Sequence, residues 1–411
     1  MEEKWEVCIL GEQDRRACRK LWETVFIEDS AGFLDYYDAY KALGNECYGI
    51  YDREGELASM LQLNPYRMYV NGFTAMSRYV IAVATRPEYR HKGLMRRLLV
   101  KSLKDMYDKG LPFAFLMPAS EAIYRPFDFR YFYRTNSGRI WGKGSGKGAD
   151  VLSVRKADKR DIPSMADFSS GILAEGFDCY PERDNTYYQT LLAETESEGG
   201  GILLLEEKTG EMKACVPFWG KEPVEIREIL CRQEDGSLVL EALRGYFDGE
   251  VTVNGSSFTM NEQRPVIMGR ITNVESFLKL FTSEYPVELH MLVTDPLISV
   301  NEGYYIWKLS PGGSQVRRTK KPDLSVGRRW MRCGTQGLFE WLTGGRGLTE
   351  LLAEQAIRFG GLPEKEEGEL QAAEVVWSSG ETAGAKTEVE KWKADLLAVR
   401  VCRSPFINEI V

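Results

Sequence analysis

Val83-Ala84-Thr85-Arg86-Pro87-Glu88-Tyr89-Arg90-His91-Lys92-Gly93-Leu94-Met95-Arg96-Arg97-Leu98-Leu99 joins a β-prone run to an amphipathic helix through a short basic loop. The apolar residues Leu94, Met95, Leu98, Leu99, Leu103, Met106 and Tyr107 recur at helical spacing, and Gly110 is placed to end the helix. The first N–H groups of a helix have no intrahelical partner, and the terminus carries roughly half a positive charge, so an anion sits there favourably. Gly93, lacking a Cβ, lets a ligand approach the main chain. Between Arg86 and Lys104 seven Lys or Arg residues stand against one Glu. The stretch reads as a pyrophosphate cradle. Its spacing is not Gly-x-Gly-x-x-Gly and no Gly-Lys-Ser/Thr closes it, so neither a dinucleotide fingerprint nor a nucleotide P-loop is indicated.

Working outward, 57–70 and 73–83 read as strands joined at Asn71-Gly72, a strong hairpin signal. Residues 111–117 read as a buried strand, followed by Ser120-Glu121-Ala122-Ile123-Tyr124-Arg125-Pro126-Phe127-Asp128-Phe129. Arg90-x-x-Gly93 resembles the (Arg/Gln)-x-x-Gly-x-(Gly/Ala) signature of GCN5-related N-acetyltransferases, with Met95 at the last small position. Tyr124 to Phe129 resembles the Tyr-x-x-Phe-Gly-Phe element that closes such domains, with Asp128 for Gly. The resemblance implies an acetyltransferase domain over 1–141.

At 411 residues the chain is long enough for two to four domains. Met1 is followed by charged residues and no apolar run approaches a membrane span, so a cytoplasmic protein without membrane attachment is expected. The eight cysteines are scattered with no Cys-x-x-Cys, and the only histidines are His91 and His290, so no metal site is expected. A net charge of −8 argues against nucleic-acid binding and leaves room for polycationic substrates.

Residues 154–166 again read as a strand and a capped helix, after a Gly-rich linker at 142–148. No Arg-x-x-Gly loop opens a helix between 151 and 265, so a second copy of the fold there would lack the cofactor site. From 266 onward strands are expected at 266–271, 287–293, 303–309 and 316–318, with helices at 273–281, 336–342 and 348–359. Residues 363–390 read as a polar insertion, and the chain ends on an apolar segment, Pro405 to Val411. Asp295 to Tyr305 resembles the strand-turn-strand of sterol-carrier-protein-like domains.

The whole order is similar to the enhanced intracellular survival (Eis) family of N-acetyltransferases. The resemblance implies an α/β (α+β) chain: an acetyltransferase domain (1–141), a degenerate second copy (151–265) and a sterol-carrier-like domain (266–411). It also implies acetyl-CoA as cosubstrate, a homo-oligomer (a hexamer), Tyr124 as general acid and the carboxylate of Val411 as general base. On the same resemblance, acetyl-CoA contacts are expected at Val83, Ala84 and Thr85, at Arg90, His91, Lys92, Gly93, Leu94, Met95 and Arg96, and near Ser120. Family members commonly end in aromatic residues, whereas this chain ends Ile410-Val411.

The chemistry is consistent on its own terms. A Tyr of pKa about 10 can protonate a thiolate whose acid lies near 8.5, and desolvation raises a terminal carboxyl from about 3.5 towards a useful base. Three readings follow: an N-acetyltransferase of small polyamine or aminoglycoside-like amines, an apolar-ligand carrier with an inert acetyltransferase part, and a protein lysine acetyltransferase. Glu28, Asp29 and Glu409 are candidate contacts for a cationic acceptor.

Overall fold

The structure, a computed structural model, describes residues 5–143, 152–220, 223–320, 330–360 and 394–409. Most of the linker expected at 142–148, the 363–390 insertion and Val411 lie outside those residues. The first unit runs β1 (Cys8–Leu10), α1 (Arg15–Val25), α2 (Ala31–Tyr36), β2 (Glu46–Tyr51), β3 (Leu57–Val70), β4 (Phe73–Thr85), α3 (Leu94–Asp108), β5 (Phe113–Leu116), α4 (Glu121–Tyr124) and β6 (Arg130–Lys143). Asn71 (φ 49°) and Gly72 (φ 82°) supply the two left-handed residues that a tight β3–β4 turn demands. α3 buries Leu94, Leu98, Leu99, Leu103 and Met106 against the sheet, as its periodicity predicts.

The middle unit contains β7 (Ser153–Lys156), α5 (Ile162–Gly176), β8 (Cys179–Pro181), α6 (Asn185–Ser197), β9 (Gly201–Glu206), β10 (Met212–Trp219), β11 (Glu225–Ile226), β12 (Leu230–Cys231), α7 (Gly236–Tyr246) and β13 (Asp248–Val253). β14 (Glu262–Ile271) then returns to the first unit and lies between β5 and β6. Strand β6 joins the two units: residues 130–137 pair with β14, and residues 138–143 pair with β13. The result is one continuous sheet ordered β1-β2-β3-β4-β5-β14-β6-β13-β11-β10-β9-β7. The expected domain change at 265/266 falls inside β14, where the chain passes straight through the sheet.

A separate five-stranded sheet follows, from β15 (Val287–Thr294), β16 (Gly303–Ser310), β17 (Gly313–Thr319), β18 (Trp330–Gly334) and β19 (Ile357–Gly360), ordered β17-β16-β15-β18-β19. Helices α8 (Val274–Leu278), α9 (Thr335–Leu342) and α10 (Leu348–Ala353) accompany it. The helix expected over 348–359 is wrong in its second half. It stops at Ala353, Gln355 turns left-handed (φ 57°), and Ile357 to Gly360 pairs with β18. A β-branched residue beside an available strand edge favours the ladder over another helical turn.

This sheet docks on the first through side chains rather than through a loop. A Cβ on Gly269 of β14 would lie 2.4 Å from the ring of Phe339 on α9, so only glycine allows that approach. Asp295, fully buried, accepts from Arg270 Nη2 (2.6 Å), Asn301 Nδ2 (3.0 Å) and the N–H groups of Leu297 and Ile298. One carboxylate thereby shapes the Asp295–Tyr305 turn and holds it to β14. Among the described residues no helix is long and apolar enough to cross a membrane. Each of the eight cysteines is free, and no metal-binding group of His, Cys, Asp or Glu occurs among the described residues.

Candidate active site

The site begins with a break in the sheet. β4 is parallel to β5 but pairs with it only at Arg78–Ala114 and Tyr79–Phe115. β5 ends at Leu116, so among the described residues the edge of β4 carrying Val83, Ala84 and Thr85 has no strand partner on that side. The same stretch carries a bulge at Ala82, whose φ is +51° and across which the β3–β4 register shifts. Bulges re-aim a strand next to an active site. No residue type in the sequence announces this one.

The loop after β4 delivers the helix terminus. His91 (φ 62°) and Gly93 (φ 77°) are both left-handed, and Arg97 N bonds Gly93 O as the first intrahelical link. The N–H groups of Leu94, Met95 and Arg96 precede that link, and Gly93 caps without a side-chain hydrogen bond. A Cβ on Gly93 would point into open space. Glycine is therefore demanded by the backbone angle and not by protein crowding, and the open space is where an anion reaches the N–H groups. The donor set fits a pyrophosphate.

The count of seven cations overstates the charge offered to a ligand. Arg86 is paired with Asp52, and Lys101 with Asp105 at 2.5 Å. Asp52 instead organises the loop: it accepts from Tyr89 Oη (3.1 Å) and from the N–H groups of Glu54 and Glu56. Burial pushes its carboxyl up, yet the Glu56 N–H, Arg86 and Tyr89 outweigh this and hold it below its ordinary value. Arg86 and Lys92 lie 4.8 and 4.7 Å from the Tyr89 ring centroid, Arg90 Nε donates to Thr85 O (3.3 Å), and Arg96 lies over Phe127 (5.7 Å). His91, Lys92 and Arg96 are exposed, Leu94 is buried and Met95 half-buried. Ser120 is exposed and begins α4 without a side-chain cap.

Tyr124 ends α4, 8% exposed, with its ring edge-on to Phe129 at 6.0 Å. Burial pushes its hydroxyl up to about 12, and among the described residues nothing hydrogen-bonds it. Asp128 takes a left-handed φ of 62°. That angle accounts for the glycine more usual there and is one that Asp tolerates. Tyr79 of β4 is buried, which pushes its hydroxyl up, and it receives the Met117 N–H.

The terminal segment enters the interior. Phe406 N bonds Cys179 O (2.7 Å), Phe406 packs on Phe177 and Tyr133, and residues 406–409 are all buried. Glu409 accepts from Tyr66 Oη (3.0 Å) and Tyr187 Oη (3.2 Å) and lies 3.5 Å from Arg183. Arg183 also forks onto Glu228 (2.5 and 3.0 Å), Arg227 pairs with Glu194, and Lys41 Nζ reaches Tyr66 Oη (2.6 Å). Glu409 is thus held within the protein by Tyr66, Tyr187 and Arg183. Of the other two candidates, Asp29 accepts from Trp22 Nε1 (2.6 Å) and Glu28 is exposed. The base expected at Val411 lies outside the described residues. An open cavity of about 330 Å³ adjoins the end of β5, lined by Met117, Pro118, Tyr131, Trp219, Glu225 and Arg264 among others.

Residues 7–132 match the family described as the acetyltransferase (GNAT) domain, and residues 274–383 match the sterol carrier protein domain. No curated protein matches the chain. Among solved structures, a GCN5-related N-acetyltransferase from Anabaena variabilis is 16% identical with a TM-score of 0.74, covering 99% of this chain and 100% of its own. One from Kribbella flavida is 15% identical with a TM-score of 0.73 over the same shares. Eis1 from Mycobacterium abscessus is 13% identical with a TM-score of 0.64, again over 99% and 100%. With a GNAT domain, a C-terminal sterol carrier protein domain and the fold of Eis-like N-acetyltransferases along its length, the chain is an acetyltransferase.

Proposed function

We propose that the enzyme transfers an acetyl group directly from acetyl-CoA to a primary amine of a small acceptor, with Tyr124 as general acid and the Val411 carboxylate as general base. The observation that carries this reading is the unpaired edge of β4 beyond its last pair with β5, with the open N-terminus of α3 following it. Acetyl-CoA supplies the activated thioester. The edge of Val83, Ala84 and Thr85 offers backbone groups to its pantetheine arm, and residues 90–96 offer N–H groups and cations to its pyrophosphate. Tyr124, with a pKa of about 12, stays protonated through the neutral range. It stabilises charge on the departing sulfur by a hydrogen bond and yields its proton only as the amine's proton is withdrawn. The buried course of 406–409 supports a terminal carboxylate delivered to a desolvated place, where its basicity rises.

Residues 151–265 serve, on this reading, as a degenerate copy of the GNAT fold. The parallel pair β11 and β13 flanking α7 mirrors β4 and β5 flanking α3, but Glu234 and Asp235 stand before α7 where the first unit has its basic loop. A pyrophosphate would be repelled there. Polyamine and aminoglycoside-like amines, and the homo-oligomer, are the acceptor class and assembly that the Eis resemblance implies. An apolar-ligand carrier has less support, because the apolar face of α9 is occupied in packing on β14. Calorimetric titration with acetyl-CoA and thiol release on adding amines test the proposal together. Binding followed by amine-dependent release is expected; binding without release to any amine contradicts it.

A further inference from the structure

The cavity at the end of β5 carries a line of three polar groups that the mechanism above does not use. Asn254 Nδ2 donates to Glu225 Oε2 at 2.9 Å, and Arg264 Nη2 donates to Asn254 Oδ1 at 3.0 Å. Glu225 stands on β11 and Arg264 on β14, so the line bridges the middle unit and the strand that completes the first. Among the described residues neither charge has an ion-pair partner. Asn254 fixes their positions, and each keeps hydrogen-bonding capacity, a carboxylate oxygen on one side and guanidinium N–H groups on the other. Trp219 and Tyr131 give the cavity flat apolar walls, and Pro118 in its lining lies two residues before Ser120, the N-cap of the helix α4 that ends at Tyr124.

A wall with one anion and one cation complements a ligand that carries both charges. A pure polyamine would set an ammonium against the Arg264 guanidinium, a like-charge contact that disfavours it. We propose that the acceptor is a diamino acid, or a short peptide ending in one. Its free carboxylate is held by Arg264 and one ammonium by Glu225, while the remaining amine, uncharged, faces the thioester. The amine lone pair forms the C–N bond as the C–S bond breaks, and the amine's proton ends on the thiol. The inference rests on the acetyl-transfer reading and, within small primary amines, favours a zwitterionic acceptor over the polyamine that the resemblance implies.

The test measures thiol release from acetyl-CoA with matched pairs: lysine against cadaverine, ornithine against putrescine, and Ala-Lys against its C-terminal amide. The carboxylate-bearing members are expected to be preferred at least about 10-fold in kcat/KM. Arg264→Gln is expected to raise their KM about 10- to 100-fold and to erase the preference, with kcat and acetyl-CoA affinity unchanged. Glu225→Gln is expected to raise KM for both members of each pair. Equal or better turnover of the decarboxylated or amidated members overturns the carboxylate subsite and leaves the acetyltransferase reading intact. Acetyl-CoA binding with no turnover of either set overturns the acceptor class. Failure to bind acetyl-CoA at all contradicts the underlying reading instead.

Discussion

Tyr66 on β3 donates its hydroxyl to Glu409 at 3.0 Å, across 343 positions of sequence. The contact fixes the chain two residues before its end. Arg183 at 3.5 Å and Tyr187 on α6 at 3.2 Å hold the same carboxylate from the middle unit, so two units and the terminal segment share one buried ionic group. A buried carboxylate is tolerable only when paired.

Removing the shared cation exposes that dependence. Arg183→Met leaves Glu228 and Glu409 without their charge partner in an interior where Arg183 is 2% exposed. The expected loss is about 3–5 kcal/mol, as for other buried pairs broken on one side. Urea unfolding followed by far-UV circular dichroism measures it, and a loss under about 1 kcal/mol contradicts the role.

Asp52 gives a pH-dependent signature for the loop. Its folded pKa lies below the ordinary 3.8, so its stabilising contribution is complete above that value and disappears as pH falls through the lower folded one. Asp52→Asn is therefore expected to be less stable than wild type at pH 6 and to converge with it in acid. It should also raise the acetyl-CoA KM, because Arg86 and Tyr89 lose their anchor. A stability gap that persists unchanged below pH 3 rules out the assignment.

The parts of this arrangement that rest on short-range patterns were legible in the sequence. Asn71-Gly72 announces its turn and 94–107 its helix, because both depend on residues within a few positions of one another. The Gly93 of Arg90-x-x-Gly93 is read from the sequence as giving a ligand access to the main chain, whereas its left-handed φ supplies a different reason for the glycine. What escaped was long-range. β14 enters between β5 and β6 after more than a hundred intervening residues, and nothing in 262–271 says which edges it will join. Ile357 to Gly360 becomes a strand because β18 offers an edge, which overrides a helical pattern continued from α10. The partners of Glu409, Tyr66, Arg183 and Tyr187, are remote in sequence, so the pattern of 405–411 names none of them.

Gly93→Val places a β-branched side chain at a φ of 77°, an angle that costs non-glycine residues about 1–2 kcal/mol, and fills the open space before α3. The fold is expected to persist while the acetyl-CoA KM rises at least about 10-fold, the loss of one or two charge-assisted hydrogen bonds. Calorimetry with wild-type affinity for acetyl-CoA contradicts the cradle.

A tag joined to Val411 converts the terminal carboxylate into an amide. If that carboxylate is the base, the extended protein folds and binds acetyl-CoA but transfers acetyl groups about 10²- to 10⁴-fold more slowly, while an N-terminal tag has no effect. Wild-type turnover by the extended protein removes Val411 from the mechanism.

The most direct test is single-turnover transfer by Tyr124→Phe preloaded with acetyl-CoA. The substitution removes one hydroxyl that makes no hydrogen bond to the described protein, so stability and acetyl-CoA affinity should be nearly unchanged. The rate of acetyl transfer to the amine should fall about 10²- to 10⁴-fold. Transfer at the wild-type rate contradicts the account and leaves Tyr124 as packing against Phe129.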